Sequence, residues 1–207
     1  FREKNVFRKS FVRKNLSYIV RQTEDKINSL IYILGKVPGT AIVYVRNRKR
    51  TKEIAVLLQQ AGISADFFHA GLNRDDKNLR QSRWKNNECR VIVSTNAFGM
   101  GIDKPDVRLV VHMDMPGSLE EYYQEAGRAG RDEQRAYAVA LCSNIDCTKL
   151  KKRLADEFPD RDFISRVYDA LGNYYQIAMG FGLDTVHDFS LVDFCTAYKF
   201  SHLQAHH

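Results

Sequence analysis

Two arginines stand three residues apart in YYQEAGRAGRD, residues 122–132, each directly preceded by a glycine: Gly127-Arg128 and Gly130-Arg131. A guanidinium is planar, permanently charged and donates to two oxygens at once, which suits it to carboxylates and phosphates. Each glycine in a helix interior costs about 1 kcal/mol relative to alanine, so the pattern departs from an ordinary solvated helix, which carries such arginines singly. Ser118 with Glu121 three residues on reads as a capping box. A helix running from there places Gln124, Arg128 and Arg131 on one face. Gly127 then allows close approach to another backbone, and Gly130 ends the helix. Paired arginines with small residues between them point to a phosphate.

Other residues able to meet a phosphate follow short apolar runs. Arg46, Asn47 and Arg48 come after AIVYV, and His69 closes SADFFH before Ala70-Gly71. Thr95 closes RVIVST and leads into Asn96-Ala97-Phe98-Gly99-Met100-Gly101-Ile102-Asp103. A G-x-G-x-D string is either a turn or, beside a nucleotide, a close approach at Gly99 and Gly101 with Asp103 accepting from a ribose hydroxyl. His69 reads as a structural residue or a contact, and Thr95 as a cap or a phosphate ligand. Tyr44 and Trp84 read as core.

These residues need a scaffold. AIVYV (41–45), RVIVST (90–95), VRLVVHMD (107–114) and YAVALC (137–142) are continuous apolar runs of the kind found in strands buried on both faces. SADFFH (64–69) and NLSYIV (15–20) are weaker strand candidates. Helical spacing falls between them, at 24–34, at 49–62 ending on Gly62, and at 73–86 with Leu79 and Trp84. Alternation of this kind predicts an α/β fold, a doubly wound, mainly parallel sheet. Ligands of such sheets bind at the carboxyl ends of the strands, and all the segments above, with the arginine stretch, are expected on that one edge. Past residue 143 the pattern turns helical, throughout 145–182 except near Phe158-Pro159, and again at 192–200. Two domains are expected, 1–143 and a helical region at 144–207 that is incomplete.

The chain of 207 residues is 44% hydrophobic and 28% charged, an ordinary globular balance, with a net charge of +7. The excess is clustered, at Arg2, Lys4, Arg8, Lys9, Arg13 and Lys14, and again at Arg46, Arg48, Lys49, Arg50 and Lys52. That favours a polyanionic partner over a solvated basic surface. No apolar run has the length of a membrane span, and the basic start lacks the apolar core of a signal peptide. The first residue is Phe1 rather than Met, as expected for a piece of a longer protein. The four cysteines form no C-x-x-C pair, which fits free thiols in a reducing cytoplasm.

In order along the chain, AIVYVRNR, FHAGL, VIVSTNAFGMGIDKPDVRLVVH and YYQEAGRAGRD resemble motifs IV to VI of superfamily 2 helicases. The strings A-F-G-M-G-I-D-K-P and Q-E-x-G-R-A-G-R-D resemble the RecQ family in particular, and the likeness spans residues 11–142. It implies the second RecA-like domain, of P-loop NTPase type, of an ATP-dependent 3′-to-5′ DNA-unwinding motor serving recombination and repair. It further implies Arg131 as arginine finger beside Arg128. Gln124, Asp103, Gly101 and Gly99 are implied on the nucleotide side, and Arg46, Asn47, Arg48, His69 and Thr95 along the DNA backbone. The implied cofactors are ATP and Mg²⁺, held mainly by an N-terminal RecA-like domain of the same chain. The implied partners are single-stranded and partly duplex DNA and that domain, with no membrane, in the cytoplasm or on a bacterial nucleoid.

Departures from the pattern bear on this. The chain has no G-x-x-x-x-G-K-[ST] and no D-E-x-H, so by itself it is expected to be inactive on ATP. The family's four-cysteine zinc spacing is missing, no metal-ligating residues are assigned, and zinc is not expected here. The rival families are a DEAD-box-like RNA helicase domain, which prefers His-Arg where this chain has Gln124-Glu125, and a non-catalytic nucleic-acid-binding module, which both arginines argue against. A dinucleotide-binding fold lacks its glycine-rich turn after the first strand.

Overall fold

The computed structural model describes residues 12–98, 104–178 and 180–206, and the chain divides into two compact units, Phe1–Asn144 and Ile145–His207. The first holds six strands: β1 (Leu16–Gln22), β2 (Thr40–Tyr44), β3 (Ala65–Phe68), β4 (Val91–Ser94), β5 (Val107–His112) and β6 (Ala136–Cys142). They form one sheet in the order β1-β6-β5-β2-β4-β3, and every neighbouring pair is parallel. The helices are α1 (Lys26–Lys36), α2 (Arg48–Gln60), α3 (Arg74–Lys85) and α4 (Leu119–Ala126).

Side chains alternate across a strand, and the sheet sorts its core accordingly. Ala41, Val43, Val91, Val93, Leu109 and Val111 face α1 and α2, packing on Leu30, Leu34, Ile54 and Leu58. Ile42, Tyr44, Ile92, Val110 and Ala138 face the other way, onto Trp84 of α3, Ala126 of α4 and Phe98. This explains why the central strands read as unbroken apolar runs: both faces are covered. Trp84 is fully buried, whereas Leu79 on the same helix is exposed. Asp25, Asn47 and Asn73 each accept a backbone amide at the start of α1, α2 and α3.

The second unit is helical: α5 (Asn144–Glu157), α6 (Arg161–Tyr174), α7 (Leu191–Tyr198) and α8 (His202–His206). Its small core gathers Ala170, Phe194 and Cys195 with Tyr174, Tyr198 and Phe200. The helix expected through residue 182 stops at Tyr174. Gln176, Gly180 and Gly182 have left-handed φ values of 53°, 81° and 86°, which a right-handed helix does not accommodate. No helix among the described residues is long and apolar enough to cross a membrane.

Candidate functional site

The hydroxyl oxygen of Ser118 accepts the Glu121 amide at 3.2 Å and opens α4. The Glu121 carboxylate does not close a capping box onto Ser118; it accepts from the Gly117 amide and, at 3.1 Å, from Nδ2 of Asn96. The helix ends at Ala126, before either arginine, with Gly127 as its C-cap. The amides of Arg128 and Ala129 then bond back three residues to the carbonyls of Glu125 and Ala126, at 3.2 and 3.1 Å, a 3₁₀-like tightening. Gly130 follows with φ +62°. The single helical face expected for Gln124, Arg128 and Arg131 is therefore not formed. Gln124 is exposed in the last turn of α4, and the arginines stand in the turn beyond it.

Both glycines are required by the chain's own packing. A Cβ on Gly127 would lie 2.8 Å from the Tyr123 carbonyl oxygen. One on Gly130 would lie 2.8 Å from the Gln134 carbonyl oxygen, on a residue already left-handed. Gly130, expected to end the helix, sits in the turn past it.

The edge assignment of the arginines also changes. A crossover between parallel strands must return to the amino end of the sheet, and the 8 residues of α4 carry the chain about 12 Å in that direction. The Gly130 amide donates to the Val107 carbonyl, at the start of β5, at 2.8 Å, and the Asp132 amide to that of Pro105 at 3.2 Å. The Asp132 carboxylate pairs with Arg108 at 2.5 Å. The arginine turn is thus fastened at the amino ends of the strands.

Its tie to the carboxyl edge is Tyr44, the last residue of β2. The buried phenol donates to the Phe98 carbonyl at 3.0 Å, with the half-buried Arg128 guanidinium near enough for its charge to act on it. Burial pushes the phenol's pKa well up, while the charges of Arg128 and, further down, the exposed Arg131 oppose it. Beside this pair, the buried Glu125 carboxylate meets Nε2 of the fully buried His112 at 2.8 Å, and the His112 ring stacks on Tyr44 with centroids 5.4 Å apart. The turn thus presents two guanidiniums, Arg128 half-buried beside the Tyr44 phenol and Arg131 exposed. Gly99, Gly101 and Asp103, expected beside it, lie outside the described residues. Lys104 follows them, buried, its ammonium donating to the Lys85 carbonyl at 3.0 Å and to Asn87 Oδ1 at 2.9 Å.

The second expected group lies at the carboxyl ends of β2, β3 and β4. Arg46 and Thr95 line a cleft of about 160 Å³ together with Asn96, Asp114 and Glu121. The Arg46 amide donates to Asp114 at 3.0 Å, leaving its guanidinium exposed. Asn47 spends its carbonyl oxygen on the Lys49 amide at 2.8 Å, capping α2. Arg48 and His69 converge over Gly71: an added Cβ there would lie 3.3 Å from Arg48 Nη1 and 3.3 Å from His69 Nδ1. Partial burial, then the cations Arg48 and Lys77, lower the His69 pKa. Tyr44, His112, Arg13 and Asn15 were not legible as site residues: the first two are apolar-run residues, and the last two act on a turn more than a hundred residues away.

A family model described as the helicase conserved C-terminal domain matches residues 25–133. The RecQ-like DNA helicase blm-1 of Caenorhabditis elegans is 43% identical over 154 residues, 73% of this chain and 16% of that protein. The ATP-dependent DNA helicase RecQ of Pasteurella multocida is 37% identical over 173 residues, 82% of this chain and 27% of that protein. The chain thus spans only a minor part of the length of the curated relatives it matches. Among solved structures, the E. coli DEAD-box protein SrmB, bound to the regulator of ribonuclease activity A, superposes with a TM-score of 0.60 at 30% identity, covering 68% of this chain and 85% of SrmB's. The six-stranded parallel sheet, the arginine turn and these likenesses agree, and the chain belongs to the family of helicase conserved C-terminal domains, within it to the RecQ type.

Proposed function

We propose that this chain is the second RecA-like motor domain of an ATP-dependent, 3′-to-5′ DNA helicase acting in recombination and repair. Arg131 is its arginine finger, and Arg128 is a second cation for the terminal phosphates of ATP. The observation that carries the reading is the pair of guanidiniums held in one turn, with the charge of Arg128 acting on the buried Tyr44 phenol. A transferring phosphoryl group spreads negative charge over its oxygens, and what a protein supplies is positioning and charge stabilisation. Arg131, exposed and adjacent to the anchored Arg128, is suited to reach an anion brought by another domain.

The donors fit the phosphates and not the metal. Mg²⁺ is held by carboxylates and phosphate oxygens, and the described residues gather no group of three or more histidine, cysteine or acidic side chains. In this reading a phosphate-cradling loop and the Mg²⁺ carboxylates come from an N-terminal domain of the same protein. Arg46, Arg48, His69 and Thr95 track the DNA backbone from the strand ends, with Asn47 capping α2 through its side-chain oxygen and offering its Nδ2 donors to a phosphate. Gln124 and the segment holding Gly99, Gly101 and Asp103 complete the nucleotide side. DNA-stimulated ATP hydrolysis by the full-length protein, compared with its Arg131→Ala variant, tests the assignment. Wild-type turnover in the variant would refute it.

A further inference from the structure

Arg13 and Asn15 make contacts that neither the nucleotide site nor the DNA track explains. Beyond α4 four backbone amides of the arginine turn have partners: Gly127 on Tyr123, Arg128 on Glu125, Ala129 on Ala126 and Gly130 on Val107. The carbonyls of Gly127 and Ala129 have left the helical ladder and need donors, and that of Gly130 accepts the Glu133 amide at 3.1 Å with room for more. Arg13 supplies them. Its Nη2 donates to the Ala129 carbonyl at 3.0 Å and to the Gly130 carbonyl at 2.6 Å, and its Nη1 reaches the Gly127 carbonyl at 3.5 Å. Nδ2 of Asn15 donates to the Gly130 carbonyl at 2.7 Å and to that of Gln134 at 2.9 Å. The backbone of Asn15 closes the set, its carbonyl accepting the Ala136 amide at 2.9 Å.

These acceptors bracket the two arginines. The Gly127 and Ala129 carbonyls stand on either side of Arg128, and the Gly130 carbonyl belongs to the peptide that joins Gly130 to Arg131. A cation at carbonyls just past a helix C-terminus is favourable, and the flat guanidinium fork spreads its donors over acceptors as far apart as the Gly127 and Gly130 carbonyls. We propose, on the strength of the arginine-finger reading above, that Arg13 and Asn15 are positioning residues for phosphoryl transfer: they set the turn that aims Arg128 and Arg131, although neither touches nucleotide. The entry to the edge strand β1 is thereby part of the catalytic apparatus.

The test is a mutant cycle in the full-length protein, with kcat and KM for ATP measured under saturating single-stranded DNA and folding followed by thermal melting. Arg13→Ala is expected to lower kcat by about 10–100-fold, the scale of a misplaced catalytic group, with KM changed by less than about threefold. Arg13→Lys is expected to restore little of the rate. Adding Arg13→Ala to Arg131→Ala is expected to change the rate by less than about twofold, because the two act through one group. If Arg13→Ala does not fold, Asn15→Ala, which removes the two Nδ2 hydrogen bonds to the turn and the Oδ1 acceptor of Arg13 Nε but leaves the guanidinium, takes its place in the cycle with the same expectation. Wild-type kcat in the Arg13 or Asn15 variant, beside a collapsed Arg131→Ala, overturns the positioning role and leaves the finger standing. Multiplicative losses in the double variant overturn it as well. Wild-type turnover in Arg131→Ala instead removes the finger reading on which it rests.

Discussion

Nε2 of His112 and Oε2 of Glu125 lie 2.8 Å apart with both side chains buried, joining the end of β5 to the last turn of α4. Ala126 follows and then the arginine turn, so this pair fixes the point from which Arg128 departs. Removing one partner of a buried pair strands the other, whereas a neutral hydrogen-bonding replacement does not. Glu125→Ala should therefore destabilise the domain by about 3–5 kcal/mol. Glu125→Gln should cost about 1 kcal/mol. Urea unfolding of the two variants measures the difference; equal losses would show that the contact is incidental.

The 207-residue chain alone should hydrolyse no ATP, with or without DNA, since it carries no phosphate-cradling loop. Phosphate release from the purified chain is the assay. Turnover stimulated by DNA would contradict the two-domain reading.

Single-stranded DNA should bind the chain weakly, without sequence preference, and with affinity falling as salt rises, by a log–log slope of about −0.7 for each phosphate neutralised. Arg48→Glu should weaken binding and flatten the slope, because Arg48 stands with His69 at the strand ends. Lys151→Glu, on α5, should do neither. Fluorescence anisotropy across a salt series reads both quantities. Affinity independent of salt would rule out a phosphate track.

His69 should titrate below the ordinary histidine range, being partly desolvated and near Arg48 and Lys77. Removing a cation favours protonation, so Arg48→Ala should raise the midpoint, though only in part because burial is the larger cause. The sign for stability follows. A native pKa below the unfolded value means that the unfolded chain binds the proton more readily. Stability therefore rises with pH between the two midpoints and is lost as pH falls through them. Histidine NMR titration of wild type and Arg48→Ala checks the shift.

The sheet was legible because its central strands are covered on both faces, so Ala41 to Val45 and Val91 to Val93 carry apolar residues without interruption. That Gly127-Arg128 and Gly130-Arg131 form an irregular, tightly packed segment was legible too, since two glycines so close are costly inside a helix. Their placement was not. Periodicity cannot show that α4 stops at Ala126, because Gln124, Arg128 and Arg131 keep helical spacing through a tightened turn. Nor can it show that Tyr44, an ordinary strand residue by its neighbours, buries its phenol against the Phe98 carbonyl within reach of the Arg128 charge. Arg13 appeared only as one charge in a basic cluster. Its partners, the carbonyls of residues 127, 129 and 130, are fixed by the crossover to β6 and by no local pattern.

The most direct measurement is steady-state ATP hydrolysis by the full-length protein and its Arg131→Ala and Arg131→Lys variants, with nucleotide and DNA affinities measured alongside. Loss of an arginine finger should lower kcat by about 10³–10⁵-fold. Lysine should recover little, since a point charge does not copy the planar fork. Both affinities should stay near wild type, because Arg131 is set apart from the strand-end residues Arg46, Arg48 and Thr95. Hydrolysis within a few-fold of wild type would contradict the account, and intact hydrolysis with lost DNA binding would turn the arginine turn toward the nucleic acid instead.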